Sequence, residues 1–185
     1  MPESTFEPEI QSSLCINGSR AFGKPLEVQR IVEIQMAAVM RDSTVKTVYT
    51  GGADGIDSLC LKTLRAFRER VKGDGPYLIV VCPCTEEELP PQAREVARRC
   101  ADRIIELENR ITLEDGWQSF KTRNNYMVEH SWRLQSFWNG ESEKSGTMHA
   151  ARYARSLGKG VEIISIPPPR RGPQAKVKAL PYKGR

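Results

Sequence analysis

This sequence predicts an α/β fold: an open, doubly wound, mostly parallel sheet with helices on both faces, of the Rossmann-like kind. Three observations predict it. Helix-period and strand-like segments alternate from about residue 13 to residue 166. The connections between successive strand-like runs are too long for hairpins, which calls for parallel strands with a helix in each crossover. Three Gly-containing breaks, NGSR (17–20), TGGADGID (50–57) and NGESEKSGT (139–147), each follow directly on an apolar strand-like run.

The elements follow in order. A short strand spans Ser13 to Asn17. Pro25 suits the first turn of a helix reaching Arg41, and Val28, Val32, Met36 and Val39 make an apolar stripe at spacings of four, four and three. Val45 to Thr50 is a β-branched strand ending on Gly51-Gly52. Asp57 or Ser58 is placed to cap the next helix, whose Cys60, Leu64, Phe67 and Val71 share a face. Tyr77 to Cys82 lacks polar alternation, as befits a strand covered on both faces, and is expected at the centre of the sheet. A helix from Pro91 to Cys100, a strand from Arg103 to Leu107, a long loop and a helix from Lys121 to Ser131 come next. The strand Leu134 to Trp138, a helix from Thr147 to Leu157 closed by Gly158, and the strand Val161 to Ile166 complete the domain.

A chain of 185 residues fits one domain with a substantial core. It has no basic and apolar leader and no apolar run near the roughly 20 residues that a membrane helix needs, so a cytoplasmic protein without membrane contact is expected. Five cysteines, mostly within apolar runs, read as buried hydrophobes in a reducing compartment. The pair in Cys82-Pro-Cys84 falls short of the four ligands of a structural zinc site, and neither metal nor cofactor is expected.

The net charge of +5 is unevenly placed: residues 167–185 hold six of the 28 basic residues and none of the 23 acids, which leaves residues 1–166 at −1. That stretch also carries five of the twelve prolines and reads as a flexible tail whose roles include solubility, oligomer docking or weak polyanion contact. Residues 1–12 read as a flexible N-terminal segment, and 13–166 as the folded domain.

A Gly-rich turn opening a helix exposes backbone N–H groups and the positive end of the helix dipole, so the three breaks read together as a rim for an anionic, phosphate-bearing ligand. Sheets of this kind bind ligands beyond the carboxyl ends of their strands, where all three breaks fall. The first turn has one glycine where a dinucleotide fingerprint has GxGxxG, and GxxxxGK[ST] is absent, which disfavours a nicotinamide dehydrogenase and a P-loop NTPase.

NGSR at a strand end, TGGADGID opening a helix, RNNYMV (123–128) on a later helix, and SFWNG followed by SGT (136–147) together resemble the SLOG superfamily over residues 14–166. That superfamily includes the LOG phosphoribohydrolases, the DNA-processing protein A family and stand-alone bacterial SLOG proteins. The resemblance implies a pocket for a nucleotide or nucleotide-derived ligand, and a homo-oligomer paired through helices beside it. Nucleotide or phosphate contacts then fall to Gly18 and Ser19 of the first break, to Gly51, Gly52, Ala53 and Asp54 of the second, and to Asn139, Gly140, Ser145, Gly146 and Thr147 of the third, with the Asp54 carboxylate suited to a ribose hydroxyl, a base or a divalent cation and not to phosphate. Arg20 and Arg123 are the candidate cationic clamps, because a guanidinium grips phosphate oxygens through two parallel hydrogen bonds; Asn124 suits a sugar hydroxyl or a base edge. Plainer roles stand beside these: tight turns for the glycines, a surface position for Arg20, a structural ion pair for Arg123 and a helix cap for Asp57.

Binding and catalysis both remain open at this level. LOG enzymes carry PGGxGTxxE with a catalytic final Glu; here the stretch reads SEKSGTMHA, with Ala150 in that place and the PGG absent. An N-glycosidase would need a carboxylate near the oxocarbenium-like charge, for which Asp54, Asp57, Glu141 and Glu143 are the candidates, while His149, next to Ala150, is a candidate for acid–base chemistry. A nucleotide binder or sensor needs none of them. Single-stranded DNA binding, which the DNA-processing resemblance implies, is opposed by the body charge of −1. Trp138 is placed either to stack on a base or to pack at the rim; Trp117 and Phe120 fall in the long loop as a lid or oligomer contact, and Tyr126 and Met127 read as core.

Overall fold

The computed structural model describes residues 8–107 and 116–170. Six parallel strands form one sheet: β1 (Ser13–Gly18), β2 (Thr47–Thr50), β3 (Tyr77–Cys82), β4 (Arg103–Glu106), β5 (Arg133–Trp138) and β6 (Gly160–Ser165). Five α-helices connect them: α1 (Pro25–Arg41), α2 (Ile56–Arg70), α3 (Pro91–Cys100), α4 (Gly116–Glu129) and α5 (Gly146–Ser156). The spatial order is β4-β3-β2-β1-β5-β6.

That order determines where a ligand can sit. The chain winds outward from β1 to β4, then returns across the sheet to lay β5 on the other side of β1. Right-handed crossovers in opposite directions place their helices on opposite faces. Accordingly, α1, α2 and α3 cover one face, with Val28, Val32, Met36, Leu61, Leu64 and Ala97 packed on Leu14, Ile16, Leu78 and Val80. Helices α4 and α5 cover the other, where Met127, Val128, Ala150 and Ala154 meet Cys15, Tyr49, Ile79 and Val81. Each fully buried aliphatic side chain contributes about 1.5–3 kcal/mol. The strand order reverses between β1 and β5, and a crevice opens beyond their carboxyl ends.

Several elements depart from expectation. β3 lies between β2 and β4, one strand from the edge, and the inner positions belong to β2 and β1. Its apolar run reports coverage on both faces, which any interior strand of such a sheet has. Helix α2 is not capped by Asp57 or Ser58: Gly55 is its N-cap, at φ 94°, and Val71 lies past its end, half exposed. Helix α4 begins at Gly116, ahead of the expected Lys121, so Phe120 is helical. Trp117's side chain and the loop at 108–115 lie outside the described residues. Ile10–Ser12 form a 3-10 turn within the stretch read as flexible, and Gly23 N–H donates to Pro167 O (2.9 Å), which anchors the start of the tail; 1–7 and 171–185 lie outside the described residues.

Two polar devices fix the helices. Lys159 Nζ donates to three carbonyls at the end of α4, those of Val128, Glu129 and Ser131, at 2.7, 2.8 and 2.6 Å. Asp42, which follows α1, pairs with Arg133 at the start of β5, and its carboxyl is held down at about 2 by hydrogen bonds from Thr44 and from Arg133. All five cysteines are buried free thiols. Among the described residues no helix is long and apolar enough to cross a membrane, and no cluster of His, Cys, Asp or Glu side chains is arranged to hold a metal ion.

Candidate functional site

The loops after β1, β2 and β5 converge with α4 and the start of α5 around a cavity of about 390 Å³. It lies outside the carboxyl ends of β1 and β5, where the strand order reverses. Gly18, Ser19 and Arg20 form one wall and Ala53 touches it from the second break. Arg123 and Asn124 come from α4, and Asn139, Ser145, Gly146 and Thr147 from the third break. Glu141 is on the exposed rim.

The rim is held by its own hydrogen bonds. Ser19 N–H donates to Phe137 O (3.0 Å), and Ser19 Oγ accepts from Asn139 N–H (3.2 Å), which stitches the first break to the third. Asn139 Nδ2 donates to Ala21 O (2.9 Å) and to Glu141 Oε2 (3.1 Å), while its Oδ1 accepts from Glu141 N–H (3.1 Å). Ser145 is the N-cap of α5 and its Oγ accepts from Met148 N–H (3.3 Å). Gly146 and Thr147 N–H belong to the first helical turn, which has no intrahelical acceptor, so the positive end of α5 faces the cavity.

Beneath the rim lies a buried ionic network. Arg123, 6% exposed, donates through Nη1 to Gly51 O (2.9 Å) and through Nε to Asn124 Oδ1 (3.0 Å). Asn124 Nδ2 in turn donates to Gly146 O (3.2 Å). Asp57, equally buried, accepts from Gly18 N–H at 3.0 Å and has an oxygen 3.9 Å from Arg123 Nη1. Burial raises the Asp57 carboxyl above its ordinary range, and the facing Arg123 charge opposes that shift. The glycines make room for this network: a Cβ on Gly51 would lie 1.8 Å from Arg123 Nη1, and one on Gly55 2.4 Å from Arg20 O. Arg123 is therefore the structural ion-pair partner as well as a lining residue.

Besides Ala21 and Ser142, three lining residues whose side chains bear on the site lay outside the contacts expected from sequence. Asn17 is 3% exposed and borders the cavity; its Oδ1 accepts from Ser136 Oγ (2.7 Å), while its Nδ2 is fully buried and has no hydrogen-bond partner. The NGSR motif contains it, but only the tertiary arrangement leaves its amide unpaired. Asp57 reaches the cavity from the second position of α2, and Phe120 from α4. The Phe120 ring lies under both arginines, with the Arg20 and Arg123 guanidinium carbons 4.4 and 5.6 Å from its centroid.

The remaining candidates go elsewhere. Gly51, Gly52 and Asp54 line a separate compartment of about 130 Å³ beyond β2 and β3, which shares Arg20, Ala53, Phe120 and Arg123 with the main cavity. Gly140 lines a crevice with Trp138, Pro168 and Pro169. His149 pairs through Nε2 with Asn125 Oδ1 (3.1 Å) on the flank of α5, and partial burial, with the Lys121 and Arg152 charges, lowers its basicity. Ala150 is fully buried in the apolar cluster under α5. A larger groove of about 700 Å³ between α2 and α3 is lined by charges of both signs, Lys62, Arg65, Glu69, Glu95 and Arg99, away from the strand reversal.

No protein-family model matches this chain, and no curated protein aligns with it significantly.

Proposed function

We infer that the cavity between β1 and β5 binds the phosphate group of a nucleotide or nucleotide-derived ligand. The observation that carries this reading is Asn17, which borders the cavity and whose buried amide N–H donors have no partner: leaving them unpaired costs about 1–3 kcal/mol, which an acceptor reaching them from the cavity would recover. The first-turn amides of α5 lie on the same cavity, and together they favour an anion. Arg20 is exposed and stacked on Phe120, so it is the guanidinium placed to close on that anion, while Arg123 is engaged in holding Gly51 and Asn124. The SLOG resemblance points to the same ligand class, and pairing into a homo-oligomer belongs to this proposal on that ground alone.

Calorimetric titration with nucleoside monophosphates, cyclic dinucleotides and ADP-ribose tests the reading. Asn17→Ala should weaken the tightest of these by about 1–3 kcal/mol, and Asn17→Asp, which sets a carboxylate against the phosphate, should abolish binding. Unchanged affinity in both variants, with the fold intact, would remove Asn17 from the site and the reading with it.

One observation favours turnover as a second reading. Two carboxylates line the cavity, Asp57 with its proton affinity raised by burial and Glu141 on the rim, as an acid and a base of an N-glycosidase would require. Release of a free base in the same incubations, lost in Glu141→Gln, would establish it; intact nucleotides after prolonged incubation would leave binding alone.

A further inference from the structure

The Arg20–Phe120 stack is a partition between two compartments of different chemistry. Arg20, Ala53, Phe120 and Arg123 line both. On one side are the Asn17 amide and the start of α5. On the other, Pro83, Cys84, Leu89, Pro90 and Ala93 make an apolar wall, and Asp54 and Glu88 are its exposed carboxylates. Ligand sites pair apolar walls with a few placed polar groups, and the second compartment has that character.

Its size limits what it takes. At about 130 Å³ it is too small for a whole nucleotide. An apolar cavity of about 150 Å³ accepts benzene, so one planar ring, or the inserted edge of a fused pair, is the right scale. Phe120 lines its boundary, and base–aromatic stacking is a sequence-tolerant source of affinity. Asp54 makes no hydrogen bond or ion pair among the described residues, unlike Glu88 in the same wall, whose carboxylate accepts from Thr85 N–H and Oγ–H. An ionised carboxylate only accepts, so the ring that meets Asp54 must present N–H donors.

We propose that the compartment beyond β2 and β3 holds the base of the same ligand, stacked at Phe120 with an exocyclic amino or ring N–H directed to Asp54, while the phosphate lies across the partition beside Asn17. The ligand is then a nucleoside phosphate that spans the Arg20–Phe120 stack, with a base that carries an N–H donor. This rests on the phosphate reading given above.

Titration of the full chain with AMP, GMP, CMP, UMP and, as a base-free control, ribose 5-phosphate tests it. The nucleotides should bind about tenfold or more tightly than ribose 5-phosphate, and Asp54→Asn should reduce their affinity about tenfold while leaving ribose 5-phosphate unchanged. Ala93→Leu, which fills the compartment, should bring nucleotide affinity down to that of ribose 5-phosphate; if it lowers the melting temperature sharply, the surface variant Asp54→Asn decides alone. Ribose 5-phosphate binding as tightly as every nucleotide, or nucleotides indifferent to Asp54→Asn, would overturn the base site and leave the phosphate site standing. No binding of ribose 5-phosphate or of any nucleotide would overturn both.

Discussion

At the scale of single residues, the second break explains how glycine sequence becomes ionic structure. Gly51 leaves the space through which Arg123 reaches its carbonyl and approaches Asp57. Removing one member of a buried pair strands the other charge, so Arg123→Ala should lower unfolding free energy by about 3–5 kcal/mol, and Arg123→Lys should not restore it, since an ammonium lacks the planar fork. Gly51→Ala should cost a similar amount by displacing the guanidinium. The two losses share one cause, so the double variant should be little worse than Arg123→Ala alone in urea unfolding; additive losses would separate Gly51 from Arg123. The glycines, Arg20, Arg123 and the third break were legible as residue types at strand ends. Asn17's vacancy and Asp57's burial were not, because both are properties of what surrounds a side chain, and nothing in a local pattern records that.

At the scale of elements, the link between α1 and β5 carries a pH dependence of known sign. The folded value of Asp42 is about 2 against an ordinary 3.8. Its contribution is thus complete above the ordinary value and is lost as pH falls toward the folded one. Asp57 works in the opposite sense, since its desolvation cost is relieved as it protonates. Urea midpoints measured across the window from 3.8 down to about 2 should therefore fall less for Asp42→Asn than for the parent chain. Equal slopes would mean that the Asp42–Arg133 pair has no weight in the fold. Helix α1 was readable end to end, because Pro25 at its start and four stripe positions act locally. The start of α4 was not: Gly116 to Phe120 is a run without apolar periodicity, and tertiary packing overrides it. The cap of α2 failed for a related reason, since Asp57 spends its carboxylate on Gly18 across the crevice and not on its own helix.

At the scale of the molecule, parallel strands and two helical layers followed from alternation alone, whereas strand order did not. The sequence of β3 reads as central and its place is next to the edge strand, because apolar coverage is common to every interior strand. Among the described residues the core lies within 14–166, and the stretch that makes the chain basic begins after it. A chain ending at Arg170 should keep the parent's melting temperature and nucleotide affinity, and should lose any salt-dependent affinity for single-stranded DNA. A truncated chain that melts well below the parent would place structural weight beyond residue 170. The threefold grip of Lys159 on the end of α4 has a further consequence. Lys159 sits in the turn that joins α5 to β6, so the helix bearing Phe120, Arg123 and Asn124 is tethered to the turn that follows the helix bearing Ser145 to Thr147. The two helical walls of the crevice are thus tied to each other at the end away from the cavity, which opposes a sliding of α4 past α5.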